Sequence, residues 1–136
     1  MIRLMKLSQN APCPCHSGEK YKKCCLPYHR GILPATALKL MRSRYSAFAL
    51  GLSDYIMDTT HPDNSDYTTD REQWKESILR FSQSTRFVGL TIHEFIDGES
   101  EAFVTFEALF DKGSLKEKSR FFKVDGKWLY ESGEFI

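Results

Sequence analysis

All four cysteines of this 136-residue chain fall inside one short stretch, CPCHSGEKYKKCC, residues 13–25. Cys13 and Cys15 flank a proline, and Cys24 and Cys25 are adjacent. Thiols grouped in this way can do three kinds of chemistry. They can pair as disulfides, but only local bridges are open to them, and these close loops too short to constrain an unfolded chain. They can act as a redox pair, but a thioredoxin-like site wants Cys-x-x-Cys at a helix start within a βαβ pattern, and neither feature is present. Or they can bind a metal.

Metal binding fits the spacing. Zinc takes four thiolates in a tetrahedron at about 2.3 Å, which places neighbouring sulfurs about 3.8 Å apart. Consecutive Cα atoms are also about 3.8 Å apart, so Cys24 and Cys25 can share one metal without strain. An extended Cys13-Pro14-Cys15 puts both sulfurs on one side. Pro12 and Pro14 stiffen that segment, and Ser17-Gly18 supplies the turn that brings the chain back. With no ligand position left open, the zinc is expected to be structural rather than catalytic. Lys20, Lys22 and Lys23 would offset the charge of a four-thiolate centre. His16 and His29 are the alternative ligands, although both read first as ordinary exposed loop histidines.

The pattern Cys-Pro-Cys-x-Ser-Gly-x-x-Tyr-x-x-Cys-Cys resembles the SEC-C motif, a short zinc-binding module. The resemblance implies zinc ligation by Cys13, Cys15, Cys24 and Cys25. His16 stands where glycine is common in that motif. The resemblance also implies docking to a protein partner, a chaperone or the ribosome among them. PYHRG (27–31), LMRSRYSAFALG (40–51) and THP (60–62) are similar to the YchJ family. That family joins an N-terminal SEC-C motif to a nuclear-transport-factor-2-like (cystatin-like) domain. The implied division is a SEC-C zinc-binding segment over residues 1–34 and the larger α+β domain over 35–136. Some longer relatives carry a second SEC-C motif at the C-terminus; this chain has no cysteine after Cys25.

The elements that must position these groups can be read independently. Residues 35–50 show a helical period through Ala37, Met41, Tyr45, Phe48 and Leu52, with Gly51 as its stop. Residues 53–60 read as a short helix capped by Ser53 and ended by His61-Pro62. Thr69-Asp70-Arg71-Glu72 reads as a capping box opening a helix with Trp74, Ile78 and Phe81 on one face. The period then changes to two. Strands are expected over 86–95, 101–110, 115–124 and 127–135, with hairpins at Asp97-Gly98, Lys112-Gly113 and Asp125-Gly126. Helices followed by an antiparallel meander define an α+β fold, helices packed on one face of a curved four-stranded sheet.

Composition bounds the remaining choices. Hydrophobic residues make up 41%, charged residues 27% and aromatic residues 13%, enough for a soluble domain with its own core. No apolar run approaches the roughly 20 residues of a membrane span. The start, MIRLMKLSQNAP, lacks the apolar stretch of a signal peptide, so a cytoplasmic location is expected. The net charge of +1 hides a split. Residues 1–44 carry nine Lys/Arg against one acid, and residues 45–136 carry ten against seventeen. Either the basic part meets an acidic or anionic partner, or the two parts attract each other.

Two surfaces are therefore candidates. Lys20, Tyr21, Lys22 and Lys23 form a partner-binding patch, for a protein or, more weakly, for nucleic acid. Between helices and sheet a pocket is expected, with Arg44, Tyr45, Asp58 and His61 as its candidates and Tyr55, His93 and Glu107 as further polar groups. On a helical wheel Arg44 falls inside the apolar stripe, while Arg42 falls on the flank toward solvent. Arg44 is either an anion-binding group or structurally paired, with Glu107 or with loop carbonyls. The leading expectation is a zinc-binding adaptor. The alternatives are a small pocket enzyme or small-ligand binder around Arg44, Asp58 and His61, and a structural dimerising domain.

Overall fold

The four period-two stretches pair as one antiparallel sheet in the order β1-β2-β3-β4, each strand beside its neighbour in sequence. The computed structural model describes residues 7–136. Arg3, Lys6 and the first half of the MIRLMKLSQNAP segment lie outside the described residues. The strands are β1 (Phe87–Ile96), β2 (Glu101–Phe110), β3 (Gly113–Val124) and β4 (Lys127–Phe135). Before them come a 3₁₀ turn (Tyr21–Lys23), α1 (Leu26–His29), α2 (Ala37–Leu50), α3 (Ser53–Asp58) and α4 (Arg71–Ser84). The α+β order read from the sequence is the one observed.

Local chemistry explains most boundaries, with small shifts. The Thr36 hydroxyl accepts from the Lys39 N–H and starts α2, and Gly51 ends it in the left-handed region with φ 73°. Ser53 does not cap α3: it is the first helical residue, after Leu52. The cap of α4 is Asp70, which accepts from Gln73 N–H, one residue later than the expected Thr69 box. Both registers satisfy the capping pattern, and a carboxylate at the cap also favours the positive helix end. Asp125 and Gly126, with φ of 51° and 81°, make the two-residue turn between β3 and β4. Between β2 and β3 the turn is Asp111-Lys112, because Gly113 already pairs with Phe110.

Register shifts at Phe87/Gly89 and Ile92/Glu94 in β1, and at Arg120/Phe121 in β3, bend the sheet. Helix α2 lies against β2 and β4. Leu40, Met41 and Tyr45 pack there with Val104, Phe106, Phe121 and Trp128. A second cluster, Ala47, Ile56, Met57, Trp74 and Ile78, joins α2 to α3 and α4. The main core also contains Cys13, Cys15, Tyr21 and Cys25, so the cysteine-rich knob and the larger domain share one interior. Among the described residues no helix is long and apolar enough to cross a membrane.

Leu40 is completely buried where α2 meets the sheet. Leu40→Ala is expected to cost about 2–5 kcal/mol, against about 1 kcal/mol for Thr36→Ala at the cap. Urea unfolding of the two variants beside the wild type measures both.

Candidate metal centre

The knob is closed by backbone pairing. Pro12 and Lys20 form an antiparallel bridge. Cys13 N–H donates to Glu19 O at 2.8 Å and Tyr21 N–H to Ala11 O at 2.8 Å. This brings Cys13-Pro14-Cys15 beside the turn that carries Cys24 and Cys25. His16 lies in the left-handed region with φ 61°, a conformation that glycine adopts without cost and that explains a glycine-tolerant position.

The four Sγ atoms all lie within 4.8 Å of one another. Cys15 and Cys24 are 3.5 Å apart, and Cys24 and Cys25 are 3.9 Å apart. These separations bracket the roughly 3.8 Å edge of a four-thiolate tetrahedron. No disulfide joins them. The cluster can therefore hold a metal ion, and neither His16 nor His29 belongs to it. Crowding distributes charge unevenly among the thiols. Hydrogen bonds from Cys13, then Cys25, hold Cys15 far below the usual thiol range. The bond to Cys15 in turn pushes Cys13 up to about 12, and Cys25 is pushed up by Cys13 and Cys15. Four adjacent thiolates are compatible only with a cation among them. Ser17 Oγ lies 3.1 Å from Cys24 Sγ. Arg42 Nη1 donates to Cys15 O at 3.2 Å and lies 3.8 Å from Cys15 Sγ. The expected solvent-facing flank of α2 thus faces the knob, and Arg42 brings it a fixed positive charge.

His29 is no exposed loop histidine. Its Nε2 sits 2.8 Å from Ser43 O, a group that only accepts, so Nε2 carries the proton. Nδ1 then accepts from the Tyr21 hydroxyl at 2.6 Å. The ring packs edge-on to Tyr55 at 4.9 Å. Burial lowers its pKa below the ordinary histidine value. Tyr21 does not share the face of the lysines: it is 6% exposed and turned inward onto His29. Burial raises its hydroxyl to about 12. Lys20, Lys22 and Lys23 are exposed. On the other side His16 Nε2 reaches Phe87 O at 3.3 Å. The knob is therefore clamped to both α2 and β1.

The pocket candidates separate. Arg44 and Tyr45 line the space between helices and sheet. The Tyr45 hydroxyl donates to Gly89 O at 2.8 Å. Arg44 is buried, and Nη1 donates to Ile56 O, Thr59 Oγ1 and Thr60 Oγ1 at 3.0, 2.8 and 3.1 Å. Asp58 instead meets Arg71 at 3.2 Å on the exposed surface. His61 Nδ1 accepts from Asp63 N–H at 3.0 Å, and its ring lies 5.5 Å from that of Phe122. Asp58 and His61 line neither of the two cavities that Arg44 lines. Glu107 pairs with His93 at 3.3 Å rather than with Arg44. Glu117, absent from the sequence candidates, is a buried acid whose Oε2 accepts from the Ser119 and Tyr130 hydroxyls. The period-two row Leu115, Glu117, Ser119, Phe121 is the available signal, because alternate residues share one face.

A curved α+β sheet domain with a four-cysteine knob docked on its first long helix defines a nuclear-transport-factor-2-like protein with a SEC-C appendage. The SEC-C motif profile matches residues 10–27, and that of the YchJ middle NTF2-like domain matches residues 36–133. A UPF0225 protein of Streptomyces coelicolor is 41% identical over 129 residues, 92% of this chain and 96% of that one. The solution structure of a SEC-C motif containing protein from Rhodopseudomonas palustris is 32% identical, with a TM-score of 0.79 over 93% of this chain and 99% of that one. A crystal structure from Psychrobacter arcticus, also a SEC-C motif containing protein, is 30% identical, with a TM-score of 0.75 over 91% of this chain and 81% of that one. The chain belongs to the YchJ (UPF0225) family.

Because burial lowers the folded pKa of His29, the unfolded chain binds the proton first as pH falls. Stability is expected to drop as pH falls below about 6.5 and to level off below the folded value. His29→Gln keeps a donor for Ser43 O and an acceptor for Tyr21 without titrating. Denaturant unfolding between pH 7 and pH 5 should show a shallower pH slope for that variant.

Proposed function

We propose that this chain is a zinc-stapled adaptor, whose knob docks to an acidic segment of a protein partner. The observation that carries the reading is the closed four-sulfur cluster beside three exposed lysines. Four soft thiolates at tetrahedral separations suit zinc, and with every ligand position taken by protein the metal would act as a crosslink. A segment this short cannot bury a core of its own, so the metal would supply what packing cannot.

The lysine face is available for docking. Among the described residues Lys20, Lys22 and Lys23 form no salt bridge, and no salt bridge joins residues 7–44 to residues 45–136. The excess positive charge of the N-terminal part is therefore not consumed by direct pairing inside the molecule. A patch of three lysines makes few phosphate contacts, which favours an acidic protein over nucleic acid as its partner. Complementary charge would govern the rate and specificity of encounter more than its final strength.

Elemental analysis of purified protein is expected to give about one zinc per chain, lost in Cys24→Ser. Protein without metal, and with four reactive thiols, overturns the zinc assignment. Capture from native lysate tests docking separately. Protein partners held by the wild type at low salt are expected to be lost at high salt and in the Lys20→Glu, Lys22→Glu, Lys23→Glu triple variant. Retention unchanged by the charge reversal overturns the docking face, and retention abolished by nuclease assigns it to nucleic acid instead.

A further inference from the structure

Two adjoining cavities, of about 470 and 220 Å³, lie between α2, α4 and the sheet, and Arg44 lines both. Arg44 is only 9% exposed, yet its charge has no direct counter-ion. Among the described residues no carboxylate lies within 4.0 Å of it. All three of its hydrogen bonds leave from Nη1, and all three acceptors are neutral. Nε and Nη2 have no partner among the described residues. Neither is sealed from solvent: the fully enclosed, unpartnered side-chain atom among those residues is Ser82 Oγ. The unpaired edge of a largely buried guanidinium thus belongs to a side chain that lines both cavities. That planar edge matches the two oxygens of a carboxylate.

The smaller cavity is walled by aromatic rings, Phe48, Phe81, Phe87, Phe106, Phe110 and Phe121 among them. Phe87 and Phe110 meet edge to face at 5.5 Å, and Phe81 meets Phe87 at 5.6 Å. An apolar cavity of about 150 Å³ already takes benzene, so 220 Å³ accommodates one ring or a short branched chain. Two acids border the site. Asp66 is exposed to water. Glu117 is engaged by the Ser119 and Tyr130 hydroxyls. The Tyr130 ring lies 4.7 Å from Arg44 Cζ while its hydroxyl bonds Glu117 at 2.9 Å, so the ring stands between the two charges.

We propose that this cavity binds a small apolar monocarboxylate, its carboxylate on the Nε–Nη2 edge of Arg44 and its ring or branched chain among the phenylalanines. Burial strengthens such a charge-assisted pair and excludes competing water. Neither the metal nor the lysine face enters this inference, so its failure and theirs are separate.

Calorimetric and NMR titration of the whole protein with phenylacetate, phenylacetamide and phenethylamine tests it. Phenylacetate is expected to saturate and to bind at least about tenfold more tightly than the amide or the amine. Ala108→Phe, which adds a ring to the wall of the smaller cavity and leaves Arg44 in the chain, should abolish that binding while the sheet resonances persist. Arg44→Gln should remove the preference for the acid. If that variant does not fold, the order of the three ligands on the wild type still decides. Equal or tighter binding of the amide or amine overturns the proposal. So does the absence of saturable binding by both phenylacetate and 3-methylbutanoate.

Discussion

Burial of α2 on nearly every side is the constraint on which the rest of the structure depends. Nine of its fourteen residues are buried, and they face three different neighbours. Leu40 and Met41 meet the sheet, Ala47 meets α3 and α4, and Ser43 and Ser46 face the knob. The two serines are fully buried, and each returns its hydroxyl to the helix's own carbonyls. Small side chains with internally satisfied hydroxyls let the knob approach the helix closely without leaving polar groups unpaired.

Polar groups enclosed by this packing are satisfied in chains rather than in pairs. Tyr21, His29 and Ser43 O form one chain from knob to helix. Tyr55 continues it through the Ser43 hydroxyl at 2.6 Å. Because each member needs its neighbour, the chain holds the knob in one orientation; packing alone would tolerate small rotations. Arg44, on another side of the same helix, is held by Ile56 of α3 and by Thr59 and Thr60 just after it. One helix therefore links a thiol cluster, a histidine clamp and an arginine-lined cavity.

The shared interior bears on how the two sequence motifs work together. Cys13, Cys15 and Cys25 belong to the same core as Leu40 and Phe121. A small segment that would be too short to fold alone gains apolar contacts from the larger domain. Its outward lysines stay in water while its inward tyrosine and thiols are covered. The result is a basic face held rigidly on a sheet domain that keeps a cavity of its own.

The sequence by itself determined what near neighbours decide. The period-two stretches, the Gly51 stop and the Asp125-Gly126 turn rest on contacts a few residues long, and the grouping of four cysteines follows from their spacing. What only the tertiary structure decided are contacts between residues distant along the chain. Arg42 reaches Cys15 across 27 positions, and His16 reaches Phe87 across 71. A helical wheel assigns one buried stripe and so puts Arg42 in solvent, whereas α2 is covered from several directions. Tyr21 reads as part of the exposed lysine face and His29 as a loop histidine because nothing local shows that α2 will cover them. Asp58 and His61 are expected in the pocket with Arg44, but Asp58 at the end of α3 meets Arg71 on the surface and the turn after α3 carries His61 to Phe122, because backbone path rather than residue type sets where a side chain ends.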